Sequence, residues 1–189
     1  MSINVRIETE FGTIKAELYD SDAPITTTNF LHYVEEGLYN RGRFHRTVTA
    51  ENNANTNLNL SEDHLHHDSL PNDEIAIQVI QAEINPERTK EKGDPIPLER
   101  TSETGLKHVD GTLSMARTTP DSAVSDFFIC INDQPALDFG GMRNPDGQGF
   151  AAFGRVTEGM DVVRTIQSQP ARGQILDPAV SILKIEREN

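Results

Sequence analysis

The chain has 189 residues, with 17 Lys and Arg against 30 Asp and Glu and a formal net charge of −13. That length suits one domain with a real core, and the acidity argues against duplex nucleic acid and anionic membranes, both of which select basic patches. The single cysteine, Cys130, excludes an internal disulfide and fits a reducing, cytoplasmic setting.

The opening MSINVRIETE alternates and carries charge, so neither a signal peptide nor a transit peptide is expected. No apolar run approaches the roughly 20 residues needed to span a bilayer. Ile3, Val5 and Ile7 alternate with Asn4, Arg6 and Glu8; after a turn at Phe11-Gly12, Ile14, Ala16 and Leu18 alternate again. This pattern predicts a β-hairpin with one wet face. Pro24 and the threonines Thr26, Thr27 and Thr28 signal a helix start. Phe30, Leu31, Tyr33, Val34 and Leu38 supply its apolar stripe, and Gly37 its stop. Strand-like segments follow at 42–48, 76–81, 111–117, 126–131, 150–156 and 179–185, with a second helix at 159–167. Helices do not alternate regularly with strands, so a closed antiparallel barrel with helices over its ends is expected rather than an open parallel sheet.

In the segment GRFHRTV, strict alternation puts Phe44, Arg46 and Val48 on one face and His45 and Thr47 on the other. A permanent charge in an apolar row needs a reason. The residues alone favour an Arg46 that lies on an exposed face, or that buries its stem and keeps its head in water.

From Thr47 to Glu87 there is no Lys or Arg, while eight acidic residues occur. The part from about 49 to 74 reads as an acidic insertion: ENNANTNLN is turn-prone, and LSEDHLHHDSLP has the capping signals of one or two helical turns. His64, His66 and His67 there read as a solvated cluster, and no metal site is expected. The stretch FGGMRNPDGQGF (139–150) reads as a surface loop between two strands, because it lacks the strand-to-helix context of a nucleotide loop. Cys130 lies in the apolar run FFICI and reads as structural.

The segments NFLHYVEEGLYN (29–40), FHR (44–46), IQ (80–81), GTLSMAR (111–117), SDFFI (125–129) and FAAFGRVTEGMDVV (150–163) occur in an order that resembles the cyclophilin-type peptidyl-prolyl cis–trans isomerases. The resemblance spans about residues 3–187 and is weakest between 47 and 76. It implies a single cyclophilin-like domain over 1–189: mainly β, a closed eight-stranded antiparallel barrel capped by two α-helices, with the catalytic groove on its outer surface. Arg46 then faces that groove as the catalytic arginine, and Gln81 is the glutamine beside it. Phe128 matches the aromatic floor of the proline pocket, although core packing is the better reading of that residue alone. Leu137 matches a pocket aliphatic, and Ala116 and Arg117 match the edge that pairs with substrate backbone.

Several positions depart from the family pattern. Gln78 and Val79 stand where an aromatic and a Met precede the IQ pair, Asp126 where a glutamine is usual, and Phe150 where His or Tyr is common. Ala136 replaces a large aromatic, and Ala82 and Glu83 replace two glycines. The implied activity is isomerisation of X-Pro bonds with no cofactor, on proline-containing peptides and unfolded or folding proteins, by a monomeric cytoplasmic protein. The departures keep open a second reading, a proline-peptide binding module with little catalysis.

Overall fold

The computed structural model describes residues 2–53 and 75–189. β1 (Ile3–Thr9) and β2 (Gly12–Leu18) form the expected hairpin, paired from Ile3↔Leu18 to Thr9↔Gly12. Their Val5, Ile7, Ile14, Ala16 and Leu18 are buried while the intervening residues are partly exposed, because successive side chains alternate across the sheet. α1 (Pro24–Glu35) starts on Pro24, whose missing N–H costs nothing in a first turn. Its start is satisfied from outside the helix: Glu99 accepts from both the Thr26 amide (2.7 Å) and the Thr26 hydroxyl (2.6 Å). Its end is closed by Gly37 at φ +66°, with Gly37 N–H bonded to Val34 O and Leu38 N–H to Tyr33 O.

β3 (Arg43–Val48), β4 (Val79–Glu83), the single-turn α2 (Thr101–Thr104), β5 (Thr112–Met115), β6 (Phe127–Cys130), β7 (Ala152–Glu158), α3 (Met160–Gln167), β8 (Ala171–Arg172) and β9 (Ile175–Glu188) complete the chain. Short 3-10 turns at Pro86–Glu91 and Pro135–Leu137 were not anticipated from sequence, nor were α2 and β8. The strands run β1-β2-β7-β5-β6-β4-β3-β9, and β9 returns to β1. All these pairs are antiparallel, so eight strands close a ring, with two-residue β8 attached to the edge of β9. Closure removes the exposed edges an open sheet would present. The helix proposed for LSEDHLHHDSLP and most of the acidic insertion lie outside the described residues.

The interior is aromatic and apolar. Phe30 of α1 meets Tyr39, Phe127 and Phe153 with centroids 5.2–5.3 Å apart, and Phe44 joins Phe127 at 6.2 Å. A second, smaller apolar cluster comprises Val48, Ile77, Val79, Phe128, Cys130 and Leu137, with Ala116, Ala136 and Phe150 against it. β6 feeds both clusters: Phe127 and Ile129 belong to the first, Phe128 and Cys130 to the second.

The expectation for GRFHRTV needs one correction. Phe44 pairs with Ala82 and Arg46 with Gln81, so His45 is an extra residue in a β-bulge. The bulge resets the alternation between Phe44 and Arg46. Phe44 therefore packs in the main core while Val48 packs in the second cluster, and they do not share a face. The loop 139–150 also differs from a plain surface loop, since Arg143 and Asn144 within it are 2% and 4% exposed.

Candidate functional site

Register brings the expected pair together. Arg46 lies opposite Gln81 across β3 and β4, and Gln81 lies opposite Phe128 across β4 and β6. Arg46 Nη1 donates to Gln81 Oε1 at 2.9 Å, while Nε and Nη2 both donate to Gln174 Oε1 at 3.0 and 2.8 Å. Gln174 is 3% exposed, and its own Nε2 donates to the Asn52 carbonyl at 3.2 Å. The guanidinium is thus held along two edges by neutral acceptors, which fix its plane and leave its charge uncancelled by them. Gln174 was not anticipated from sequence. It is 128 residues from Arg46, and only ring closure through β9 brings it near.

The apolar partners lie beside this cation. Phe128 is 4% exposed, and Val79 and Leu137 are each 1% exposed. Phe150 meets the edge of Phe128 at 5.7 Å and 85°. Arg117 fixes Phe150 rather than offering its own charge: its guanidinium is 4.8 Å from the Phe150 ring centre, donates to Gly149 O at 2.8 and 2.6 Å, and pairs with Asp146 at 2.8 and 2.9 Å. Ala116 packs on the cluster, and its N–H is used by the Asp126 carbonyl (2.9 Å). Gln78 is the outlier of the expected set. Its side-chain oxygen accepts from Gln167 Nε2 at 3.1 Å, turning the amide toward the end of α3.

Behind Phe128 runs a buried hydrogen-bonded chain. The His108 ring stacks on Phe128 at 6.2 Å and 14°, with Nδ1 2.7 Å from Asp138 Oδ1 and Nε2 2.9 Å from Ser114 Oγ. A carboxylate only accepts, so Nδ1 donates, and Nε2 is paired with the Ser114 hydroxyl. Burial pushes the Asp138 carboxyl up, but the hydrogen bonds from the His108 ring and backbone outweigh it and hold the acid below its usual value. The order Ser–His–Asp is that of a hydrolytic triad, yet Ser114 is 0% and His108 1% exposed. No substrate reaches that hydroxyl, and the chain serves to seat Phe128. Cys130 is equally closed, with burial raising its thiol well above the ordinary range.

On the other side of Gln81, Asp126 Oδ2 accepts from Gln81 Nε2 at 3.4 Å. Burial raises the Asp126 carboxyl above its ordinary value, and burial lowers neighbouring His45. The ensemble is a fixed cation beside an apolar, aromatic cluster. It suits recognition of a peptide group next to a nonpolar ring.

The model for the cyclophilin type peptidyl-prolyl cis-trans isomerase family matches residues 4–187. A peptidyl-prolyl cis-trans isomerase of Acinetobacter baylyi is 36% identical over 167 residues, covering 88% of this chain and 72% of that protein. Peptidyl-prolyl cis-trans isomerase B of Escherichia coli is 33% identical over 164 residues, covering 86% and 83%. A cyclophilin-type isomerase structure from Cryptosporidium parvum superposes with a TM-score of 0.72 at 22% identity, over 100% of this chain and 99% of its own. The barrel, the motif order and these relatives agree: this chain belongs to the cyclophilin-type peptidyl-prolyl cis–trans isomerase family.

Proposed function

We propose that this chain is a peptidyl-prolyl cis–trans isomerase in which Arg46 stabilises the twisted X-Pro amide. The supporting observation is the Arg46 guanidinium itself, clamped by Gln81 and Gln174 beside the Phe128 cluster. An amide resists rotation because its nitrogen lone pair is delocalised, giving a barrier near ~20 kcal/mol. At the twisted transition state the prolyl nitrogen regains its lone pair and becomes a hydrogen-bond acceptor. A pre-oriented guanidinium binds that state better than either planar isomer, which is catalysis without nucleophile, metal or proton transfer. A differential of ~7 kcal/mol corresponds to about 10⁵-fold.

In this reading Phe128, Leu137, Val79 and Phe150 take the proline ring. Gln81 orients Arg46 and offers its amide to the substrate backbone, and the Ala116–Arg117 edge meets that backbone through groups other than the Ala116 N–H, which Asp126 O already takes, with Asp126 at the rim. Proline-peptide binding is further supported by the fold neighbour from Cryptosporidium parvum studied in the presence of the dipeptide Ala-Pro (TM-score 0.70, 22% identity, 98% and 99% covered). No helix among the described residues is long and apolar enough to cross a membrane. The net charge of −13 and the one buried cysteine support a cytoplasmic monomer that acts on folding chains rather than on nucleic acid or membranes. The whole chain reads as one domain carrying an insertion at about 49–74.

One observation favours weak catalysis: Gln78, standing where the family pattern has an aromatic, is held by Gln167, so that wall of the proline pocket is polar. A protease-coupled assay on a set of X-Pro peptides tests the proposal. Acceleration proportional to enzyme concentration is expected. Binding of the same peptides without acceleration would establish the binding-module reading instead.

A further inference from the structure

Beside Gln81 the outer barrel face carries three donors from three adjacent strand regions. His45 projects from the bulge of β3, Glu83 ends β4, and Asp126 immediately precedes β6. One ligand-type atom from each lies within 4.8 Å of the others. His45 Nδ1 is 3.9 Å from Glu83 Oε2, and His45 Nε2 is 3.9 Å from Asp126 Oδ2. These side chains are 23%, 26% and 29% exposed, so the group is largely but not wholly desolvated. His45 Nδ1 is buried and has no hydrogen-bond partner among the described residues. Buried ring nitrogens are normally partnered, so the absence points to something that completes it.

We propose that His45, Glu83 and Asp126 form a site for a divalent transition-metal ion of the Zn²⁺ class. One imidazole nitrogen with two carboxylate oxygens is a mixed N/O set, which suits zinc-like ions better than calcium or magnesium, and three protein ligands leave a position for water. Metal–ligand bonds of about 2.0–2.2 Å in a tetrahedron separate the ligand atoms by roughly 3.4 Å. With one His45 nitrogen taking part, side-chain rotation has to close the 4.8 Å set by up to about 1.4 Å to reach that. Arg43 Nε donates to Glu83 Oε1 at 2.5 Å and leaves Oε2 on the His45 side, while the charges of Arg46 and Lys92 act on His45 and Asp126 respectively. Two carboxylates and a divalent ion are mutually neutral.

The site is wired to the groove. Asp126 Oδ2 also takes the Gln81 amide at 3.4 Å, and Gln81 Oε1 holds Arg46 at 2.9 Å. An ion that claims Asp126 frees Gln81 to turn and loosens Arg46, so occupancy lowers turnover. This consequence rests on the isomerase reading; binding itself does not.

The test uses the full chain with His64, His66 and His67 replaced by Gln, which removes the clustered imidazoles elsewhere. Calorimetric titration with Zn²⁺ is expected to give one ion per chain, and Co²⁺ to give the visible bands of a low-symmetry tetrahedral complex. His45→Gln and Glu83→Gln, each introduced into that background, should weaken Zn²⁺ affinity at least tenfold with the melting temperature of the metal-free protein unchanged. Zn²⁺ binding that vanishes with the three histidines, or that ignores both substitutions, overturns the site. In the isomerisation assay, saturating Zn²⁺ should lower turnover several-fold in the starting chain and not in the Glu83→Gln variant. Site-specific binding with turnover unchanged overturns the link through Gln81. A metal-free protein that does not accelerate isomerisation overturns the reading of the groove and leaves the binding result standing.

Discussion

The two faces of β4 and β6 divide the labour of this molecule. Toward the interior, Ile80, Ala82, Phe127 and Ile129 are each 0% exposed and belong to one apolar cluster. Toward the outside, the same strands present Val79, Gln81, Phe128 and Cys130, a short apolar run interrupted by an amide that holds an arginine. One residue of alternation separates a position in the barrel core from one on the side of the proposed groove. Phe127 and Phe128, neighbours in one motif, thus belong to different clusters: the first packs in the core, and the second lies in the proposed proline pocket.

The sharpest way to break that contrast is to truncate each phenylalanine. Phe127→Ala should cost about 3–5 kcal/mol of unfolding free energy, because the interior collapses poorly around a lost ring. Phe128→Ala should cost less and instead lower kcat/KM per folded molecule well over tenfold. Denaturant titration and the isomerisation assay read the two effects separately. Equal stability losses with equal activity would erase the distinction between faces.

A smaller effect is expected behind the cation. Gln174→Met keeps volume but removes the acceptor of two Arg46 N–H groups, and hydrogen bonds to charged groups contribute about 1.5–3 kcal/mol. kcat/KM should fall about tenfold, mostly in kcat, since orientation rather than peptide contact is lost. A pure KM effect would place Gln174 in binding.

The Asp138–His108 support should show in the pH dependence of stability. Asp138 has a folded-state pKa below its unfolded value of about 3.9, so its stabilisation is present above that value and disappears as pH falls through the lower folded value. The stability difference between the parent chain and Asp138→Asn should be constant from about pH 5 to 7 and shrink toward pH 2. A difference independent of pH would remove the role assigned to that carboxylate.

The smallest effect is electrostatic. The base-free, acidic stretch 47–87 follows Arg46 directly, and peptides with Lys or Arg near the proline should react a few-fold faster at low salt. Screening beyond about 10 Å at 0.1 M ionic strength should reduce that preference. Equal rates for acidic and basic peptides across a salt series would exclude it.

What could be read from sequence was local. Alternation around Ile3–Leu18 and the apolar stripe of α1 are periodic signals, and the ordered motifs gave the barrel and the Arg46–Gln81–Phe128 row. What escaped was set by chain closure or by the breaking of a period. The bulge at His45 has no glycine or proline to announce it, yet it decides which face Arg46 occupies. Gln174 reaches Arg46 only because β9 closes on β3. Arg143 lies in a glycine-rich loop that reads as solvent-exposed, but its Nη1 donates to Asn53 Oδ1 at 3.1 Å and Ile75 O at 2.8 Å, tying the loop to segments far away in sequence. The His45, Glu83 and Asp126 grouping is likewise assembled by pairing of β3, β4 and β6, with no short-range spacing to suggest it.

In the proposed function Arg46 acts on the twisted amide rather than on the resting peptide. The direct measurement is kcat/KM for isomerisation beside the Kd of the same X-Pro peptide, for the parent chain, Arg46→Lys and Arg46→Ala. Both variants should keep the parent fold by circular dichroism and bind peptide within a few-fold, while kcat/KM falls at least tenfold in Arg46→Ala. Arg46→Lys should be impaired too, since one ammonium cannot engage Gln81 and Gln174 and still present a fixed donor. Parent-level turnover in Arg46→Ala would contradict the account.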